Sequence, residues 1–145
     1  MSVKATILNN LKTALEGIKQ SGGYNLTVQK VERYHLAFDE DGYVTPFISI
    51  VESGEVPTVE DSANMQQSLS LNLLVFLRES NTMATDMDKI VDDIKKLIYS
   101  PVSLGTYCLD VRHSGIEQLW ISETEKKSAT RIGLEILYYA PKGTF

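Results

Sequence analysis

Apolar side chains recur every three or four residues near the start of the chain, which is the spacing of one face of an α-helix. Ser2 precedes this stretch as an N-cap candidate, and Ser21-Gly22-Gly23 follows it as a helix terminator. The pattern predicts a first helix from about Val3 to Gln20. Its apolar stripe consists of Val3, Ile7, Leu8, Leu11, Ala14, Leu15 and Ile18.

A second stretch with helical spacing runs from about Thr85 to Tyr99. Asp86 and Asp88 lie near its start, where negative charge complements the helix dipole. Lys95 lies near its end, where positive charge does the same, and Pro101 prevents the helix from continuing. The sequence therefore predicts a second amphipathic helix.

The longest alternation of polar and apolar residues runs from Met65 to Arg78 and predicts a β-strand. One face is apolar along the whole segment, and Leu74 and Phe76 make the second face apolar as well. We expect the side chains of this second apolar face to be buried within the subunit. The alternative is that they are buried between subunits.

Two shorter segments before it, Leu26 to Tyr34 and Phe47 to Val51, also read as strands. We expect them to form an antiparallel hairpin whose long tip contains Asp39-Glu40-Asp41-Gly42. Val56 to Asn64 contains Pro57, Glu60 and Asp61, and it is predicted to be an exposed loop.

The C-terminal part reads as β structure. A short strand is predicted from Tyr107 to Arg112, and a turn follows it at Arg112-His113-Ser114-Gly115. Gln118 to Glu123 and Ala129 to Ala140 are then predicted to form a hairpin around a polar tip. The order α-β-β-β-α-β-β lacks the regular alternation of a doubly wound fold. We expect a single α+β domain over residues 1–145, with a mainly antiparallel sheet and both helices on one face.

Composition and charge narrow the functional classes. The 145 residues include 14 Lys and Arg against 19 Asp and Glu, so the net charge is 14 − 19 = −5. This balance lacks the basic excess of proteins that bind nucleic acid, and we expect no sequence-specific nucleic acid binding. No apolar run approaches the length of a membrane span, and the start does not read as a secretory leader. We expect the chain to fold in a reducing cytoplasm.

Reactive groups are few and scattered. The two histidines, His35 and His113, are expected in exposed loops, and Cys108 within an apolar stretch is expected to be a small core residue. Nucleophilic catalysis needs a nucleophile held by an oriented base, and a zinc site needs three or four converging ligands. The sequence therefore predicts no catalytic residues, no metal site and no cofactor.

The order of short motifs is similar to that of a known family. Its parts are the helix from Asp86 to Tyr99, Leu104-Gly105, Trp120-Ile121-Ser122-Glu123, the strand from Ile132 to Tyr139, and in the first half Gly22-Gly23-Tyr24 and Pro46-Phe47-Ile48-Ser49-Ile50. This arrangement resembles the tail terminator proteins of tailed bacteriophages, and it covers nearly the whole chain. Related neck and tail-completion proteins share much of it.

The resemblance implies a structural virion protein and not an enzyme. It implies a ring, a homohexamer, that caps the tail tube, ends tube polymerisation and offers an attachment surface to the head/neck connector. The implied partners are further copies of this chain, the tail tube protein, the sheath protein if the tail is contractile, and the connector. The implied place is the virion tail or neck, after assembly in the host cytoplasm. The alternatives are a head–tail joining or tail-completion protein and, from another class, a small-molecule enzyme or ligand-binding domain.

Contacts in such assemblies usually lie on polar excursions between strands. The three candidate segments are Phe38 to Thr45, Gly54 to Met65 and Glu123 to Ser128. Each has a plain alternative as a solvated connection. The candidate interface residues on them are Tyr43, Glu55, Val56, Glu60, Asp61, Met65, Glu125, Lys126 and Lys127.

Overall fold

The computed structural model of the chain describes residues 2–33, 45–61, 63–78, 83–99, 104, 107–122 and 127–142. The elements are α1 (Val3–Glu16), β1 (Lys30–Arg33), β2 (Phe47–Glu60), β3 (Asn64–Arg78), α2 (Met83–Tyr99), β4 (Cys108–Ser122) and β5 (Lys127–Pro141). The strands form one sheet in the order β1-β2-β3-β5-β4. The predicted α+β class and element order are confirmed.

Helix α1 begins where the sequence predicts. The Ser2 hydroxyl oxygen accepts a hydrogen bond from the Ala5 amide at 3.1 Å, as an N-cap does. The predicted end near Gln20 is wrong, because the helix already ends before Gly17. A short 3₁₀ turn over Gln20–Gly22 follows, and Gly23 then adopts a φ of 91°, which glycine reaches without steric cost.

The apolar stripes of both helices pack on one face of the sheet, called here the helix face. The main core is formed by α1, α2 and the inward residues of β2, β3 and β5. Its fully buried side chains include Leu8, Leu15, Ile50, Leu73, Ile90 and Tyr138. Burial of about 25 cal/mol per Å² of apolar surface is the dominant force that holds these layers together.

Strand β1 pairs with β2 in the parallel direction, for example Val31 with Ile48. The predicted antiparallel hairpin of these two segments is therefore wrong. Residues 34–46 separate the strands, and a connection of a dozen or more residues is long enough for a parallel crossover. Apolar alternation alone carries no information on strand direction, so the sequence pattern could not decide this point. The predicted tip lies outside the described residues.

The predicted exposed loop from Val56 to Asn64 is also wrong, because most of it is strand. Strand β2 continues to Glu60, which pairs with Met65 at the start of β3. Pro57 is tolerated beside a register irregularity, and no described part of β1 pairs with this portion of β2. We call this extension, residues 51–60 of β2 with residues 64–72 of β3, the hairpin arm.

The two predicted segments around a turn at Arg112–Gly115 are one continuous strand, β4. The separate turn is therefore wrong, and His113 lies within a strand instead of a loop. The register of β4 against β5 slips at Leu109, Ser114 and Leu119, so each is an extra, bulged residue. The bulge at Ser114 lies where the sequence suggested a turn, because Ser and Gly favour both structures.

The sheet face opposite the helices carries a small second cluster. Phe47, Phe76 and Ala129 are buried there, and Leu74 packs against them. The Phe47 and Phe76 ring centroids lie 5.8 Å apart at an interplanar angle of 56°. Burial within the subunit, predicted for the second apolar face of this strand, is confirmed for Phe76, whereas Leu74 is only half-buried.

Candidate protein–protein interface

The hairpin arm is the first candidate contact surface, and ionic contacts fix its base on the helix face. Glu52 lies 3.3 Å from Lys4 of α1 and 2.5 Å from Arg33 of β1. Glu55 lies 3.7 Å from the same lysine, and the Tyr138 hydroxyl donates a hydrogen bond to it. These contacts join the arm to α1, β1 and β5.

Tyr138 anchors this group from below. Its side chain is fully buried. Burial raises the pKa of Tyr138, and the acceptor carboxylate of Glu55 raises it further, so the phenol stays protonated as a donor. Glu55 was predicted to contact another subunit. Its carboxylate has contacts within the same subunit, with Tyr138 and Lys4, and the contact with another subunit stays a prediction.

The opposite face of the arm exposes two aliphatic side chains. Val56 is 62% exposed and Val59 is 60% exposed, although both lie in regular strand structure. They pair with Ser68 and Gln66 of β3, so they share the face that carries no helix. Exposed aliphatic side chains that lie close together on one face of a sheet are candidates for contact with another protein.

The tip of the arm is held by hydrogen bonds of its own. The Asp61 carboxylate accepts hydrogen bonds from the amides of Ala63 at 2.8 Å and Asn64 at 2.6 Å. These two bonds lower the pKa of Asp61 below its usual value. Glu60 lies 2.7 Å from Lys142, which follows β5. Of the predicted residues here, Asp61 and Glu60 therefore shape the tip.

The remaining predicted residues fall into two groups. Met65 is half-buried on the arm, and its sulfur lies 3.1 Å from the Gln67 side-chain nitrogen. Lys127 begins β5 at the other end of the sheet, where it pairs with Arg78 of β3. Tyr43, Glu125 and Lys126 lie outside the described residues. The structure thus places four of the predicted residues on the arm, Asp61 in the turn that joins its two strands, and Lys127 away from it.

Sequence reasoning missed a second surface, the outer edge of β4. Leu109, Ile116 and Leu119 on this strand are 49%, 41% and 40% exposed. Within the described ranges, no strand pairs with the side of β4 that faces away from β5. An unpaired strand edge is a template for another chain. The segment was divided by the predicted turn, and this division hid a long strand with exposed aliphatic residues.

Between the arm and the Phe47 cluster, the helix-free face carries paired charges. Arg131 lies 2.5 Å from Glu117 and 3.2 Å from the Asn72 side-chain oxygen. Glu135 accepts hydrogen bonds from Arg112 at 3.1 Å and from Ser68 at 3.0 Å. The Arg112 contact, followed by the Ser68 contact, lowers the pKa of Glu135. This band is polar, with its charges matched within the subunit.

The reactive groups do not form a catalytic arrangement where the structure describes them. His113 contacts the Tyr99 hydroxyl through Nδ1, and the two rings lie edge to face 5.6 Å apart. Burial raises the pKa of Cys108, which favours the unreactive thiol. Among the described residues, no three His, Cys, Asp or Glu side chains converge in a way that would hold a metal ion.

None of the helices that the structure describes has the length and apolar character needed to cross a membrane.

Comparison with known proteins bears on these surfaces. Residues 1–122 match the family model described as Bacteriophage Tail Tube Terminator Protein. The match spans both helices, the complete hairpin arm and all of β4. A search among curated proteins found no match.

Proposed function

Because this chain belongs to the bacteriophage tail tube terminator protein family, we propose that it caps the tail tube as a ring, ends tube polymerisation and presents an attachment surface to the head/neck connector. The ring is a homo-oligomer of this chain. The resemblance to terminators implies that it is a hexamer. The tail tube protein, the connector and, in a contractile tail, the sheath protein are its partners. It acts in the tail or neck of the virion after assembly in the host cytoplasm.

The hairpin arm is the observation that carries this proposal. It continues the sheet past the described part of β1, its base is fixed by Glu52 and Glu55, and it exposes Val56 and Val59. A sheet extension with a fixed base and exposed valines suits a protein that must fit another subunit with one defined geometry. The residues of the arm lie within the range that matches the terminator family.

The chemistry of the described side chains agrees with a role that needs no catalysis. A terminator has to present complementary surfaces to its neighbours and to refuse a further tube subunit on one side. This requires shape, strand edges and apolar contacts. It requires neither an activated nucleophile nor a bound metal, and the raised pKa of Cys108 fits a structural thiol.

The test is the morphology of virus particles that lack this gene product, viewed by electron microscopy. The proposal predicts tail tubes of uncontrolled, excessive length, and it predicts that the wild-type chain supplied in trans restores the normal length. Tails of normal length that are detached from filled heads would contradict it and would identify a head–tail joining protein. Tails that are normal and attached would contradict both roles.

A further inference from the structure

The exposed apolar side chains are not scattered over the surface. Seven large hydrophobic residues are exposed among the described parts of the chain. Val56 and Val59 lie on the arm, and Leu109, Ile116 and Leu119 lie on β4. The other two are Tyr107, which directly precedes β4, and Tyr99, which contacts His113 of β4. Among the described residues, the large exposed hydrophobic side chains therefore lie in two places.

These two places are opposite edges of one sheet. In the order β1-β2-β3-β5-β4, strand β4 is one edge. Among the described residues, the arm portion of β2 has only β3 beside it, since the described part of β1 pairs with residues 47–50. Single exposed hydrophobic residues are ordinary on protein surfaces. Here, however, they lie on the two strand edges that have no partner among the described residues, and this placement needs an explanation.

The directions of the strands make the two edges complementary. Strands β2, β3, β5 and β4 are successively antiparallel, so β2 and β4 run in opposite directions. If a second copy is placed beside the first in the same orientation, its β4 meets the arm edge of the first as an antiparallel pair. Antiparallel pairing is the arrangement that the rest of the sheet already uses.

The two edges also share a local irregularity. The arm strand contains extra residues at Ser53 and Thr58, and β4 contains them at Leu109, Ser114 and Leu119. The two extra residues of the arm strand are five positions apart, and so are the successive extra residues of β4. Bulges bend a strand and increase its twist. Two edges that bend with the same period are able to stay side by side over a longer stretch than a bent edge and a regular one.

From these observations we infer that the outer edge of β4 in one copy adds to the outer edge of the hairpin arm in the next copy, so that the sheets of neighbouring subunits join. The inference rests on the proposed ring. The two edges differ, so the contact is head-to-tail, and a head-to-tail contact closes into a ring when the rotation between copies allows it. Main-chain hydrogen bonds would supply affinity, and the exposed valines and leucines would supply apolar burial.

Cysteine cross-linking of the full chain tests this contact. Every variant carries Cys108→Ser, which removes the native thiol. Val59→Cys marks the arm. Leu109→Cys and Leu119→Cys mark the two ends of β4, so that a contact of the arm with either end of this strand can be detected. A short bismaleimide joins thiols that lie close together. Thr13→Cys, an exposed position on α1, is the matched control.

The inference predicts cross-linked dimers when the Val59→Cys protein is mixed with one of the β4 variants. It also predicts a ladder that ends at the closed ring when both cysteines are in one chain. The arm variant alone, and the Thr13→Cys variant paired with either β4 variant, are expected to stay uncross-linked. Dimers formed by a β4 variant alone would show a two-fold contact between β4 edges and would overturn the inference.

Electron microscopy of the same samples separates the two proposals. Rings without any cross-link between the arm and β4 would overturn the edge pairing and leave the proposed function standing. A chain that stays monomeric at all concentrations, and that does not cross-link, would contradict the ring itself and the edge pairing with it.

Discussion

Asp93 joins helix α2 to the segment that follows the first helix. Its side chain is only 2% exposed, and its two carboxylate oxygens accept hydrogen bonds from the amides of Asn25 at 2.8 Å and Leu26 at 2.9 Å. Lys96, one helical turn further, donates to the Gly23 carbonyl oxygen at 2.8 Å. Its ammonium also lies 5.0 Å from the centre of the Tyr24 ring. Two side chains of α2 thus hold a segment without regular structure.

Replacement of this buried carboxylate should destabilise the fold. We expect Asp93→Ala to lower the free energy of unfolding by about 2 kcal/mol, because two main-chain donors lose a charged acceptor. Urea denaturation measures the change. Asp92→Ala is the matched control, since Asp92 is exposed and its removal should change the stability by less than about 0.5 kcal/mol. Equal effects of the two variants would contradict the role given to Asp93.

The tip of the arm should respond to acid through Asp61. Its pKa is lowered in the folded chain by the Asn64 and Ala63 amides, so the folded state favours the ionised form. The stabilisation is therefore complete above the pKa of an unfolded Asp, about 3.9, and is lost as the pH falls through the lower folded value. The amide NMR signals of Ala63 and Asn64 should titrate with a midpoint below 3.9.

The Asp61→Asn variant, which keeps one side-chain acceptor but cannot ionise, is the control for this titration. It should abolish the pH-dependent movement of both amide signals. A midpoint at or above the ordinary Asp value in the wild-type chain would contradict the proposed tip geometry.

At the scale of the elements, the bulged residue Ser114 lies close to Gly133 of the neighbouring strand. A Cβ atom added at Gly133 would lie 2.4 Å from the Ser114 hydroxyl oxygen, which is too close. We expect Gly133→Ala to lower the free energy of unfolding by about 1–2 kcal/mol through overpacking. Adding Ser114→Gly should recover most of the loss, because it removes the atom in the way. Thermal denaturation of the single and double variants measures both effects.

Gly115 provides the matched control for this pair. Gly115 lies in β4, next to Ser114. No atom lies within 4 Å of a Cβ built on Gly115, so Gly115→Ala should be neutral or slightly stabilising. A loss of stability in Gly115→Ala as large as that in Gly133→Ala would mean that the strands tolerate no added side chain in general, and the specific fit of Ser114 over Gly133 would be refuted.

The attachment of the arm to the body depends on Tyr138. We expect Tyr138→Phe to lower the free energy of unfolding by about 1.5 kcal/mol, because Glu55 loses a part-buried, charge-assisted hydrogen bond. Hydrogen exchange should become faster in the arm than in β5. Tyr139→Phe serves as control, since its ring is half-buried and packs edge to face with Tyr107. Unchanged exchange in the arm of Tyr138→Phe would contradict this anchoring role.

The sequence specified some elements well and others poorly, for physical reasons. Helix α2 has one apolar stripe and charged ends, so its existence followed from local pattern. The existence of the arm strand did not follow from local pattern, because its second half is exposed to solvent. Pro57, Glu60 and Asp61 are as compatible with an exposed loop as with an exposed edge strand. The parallel direction of β1 depended on a long connection that leaves no periodic signal.

The sequence likewise predicted only a part of the candidate interface. The sequence marked the residues of the arm because they are polar and stand between strands. It did not show that Glu55 is bound by Tyr138, since that partner lies 83 positions away. The exposed leucines of β4 were also missed, because an aliphatic residue in a strand normally indicates a core position, and only the sheet order reveals that β4 is an edge.

At the scale of the whole molecule, the subunit has two unlike sides. The helix face is closed by α1 and α2, whereas the other face is a sheet with a band of paired charges between the exposed valines of the arm and the Phe47 cluster. The two edges differ as well, one being the arm and the other β4. A subunit built in this way is suited to a directional contact with its neighbours, as a ring at the end of a tube requires.

Growth of tail tubes in the presence of the purified chain tests the central claim most directly. The tail tube protein of the same virus is polymerised, the chain is added during growth, and tube lengths are measured by electron microscopy. The account predicts that elongation stops at amounts of the chain far below that of the tube protein, with added density only at tube ends. Tubes that keep growing, or that carry the chain along their length, would contradict it.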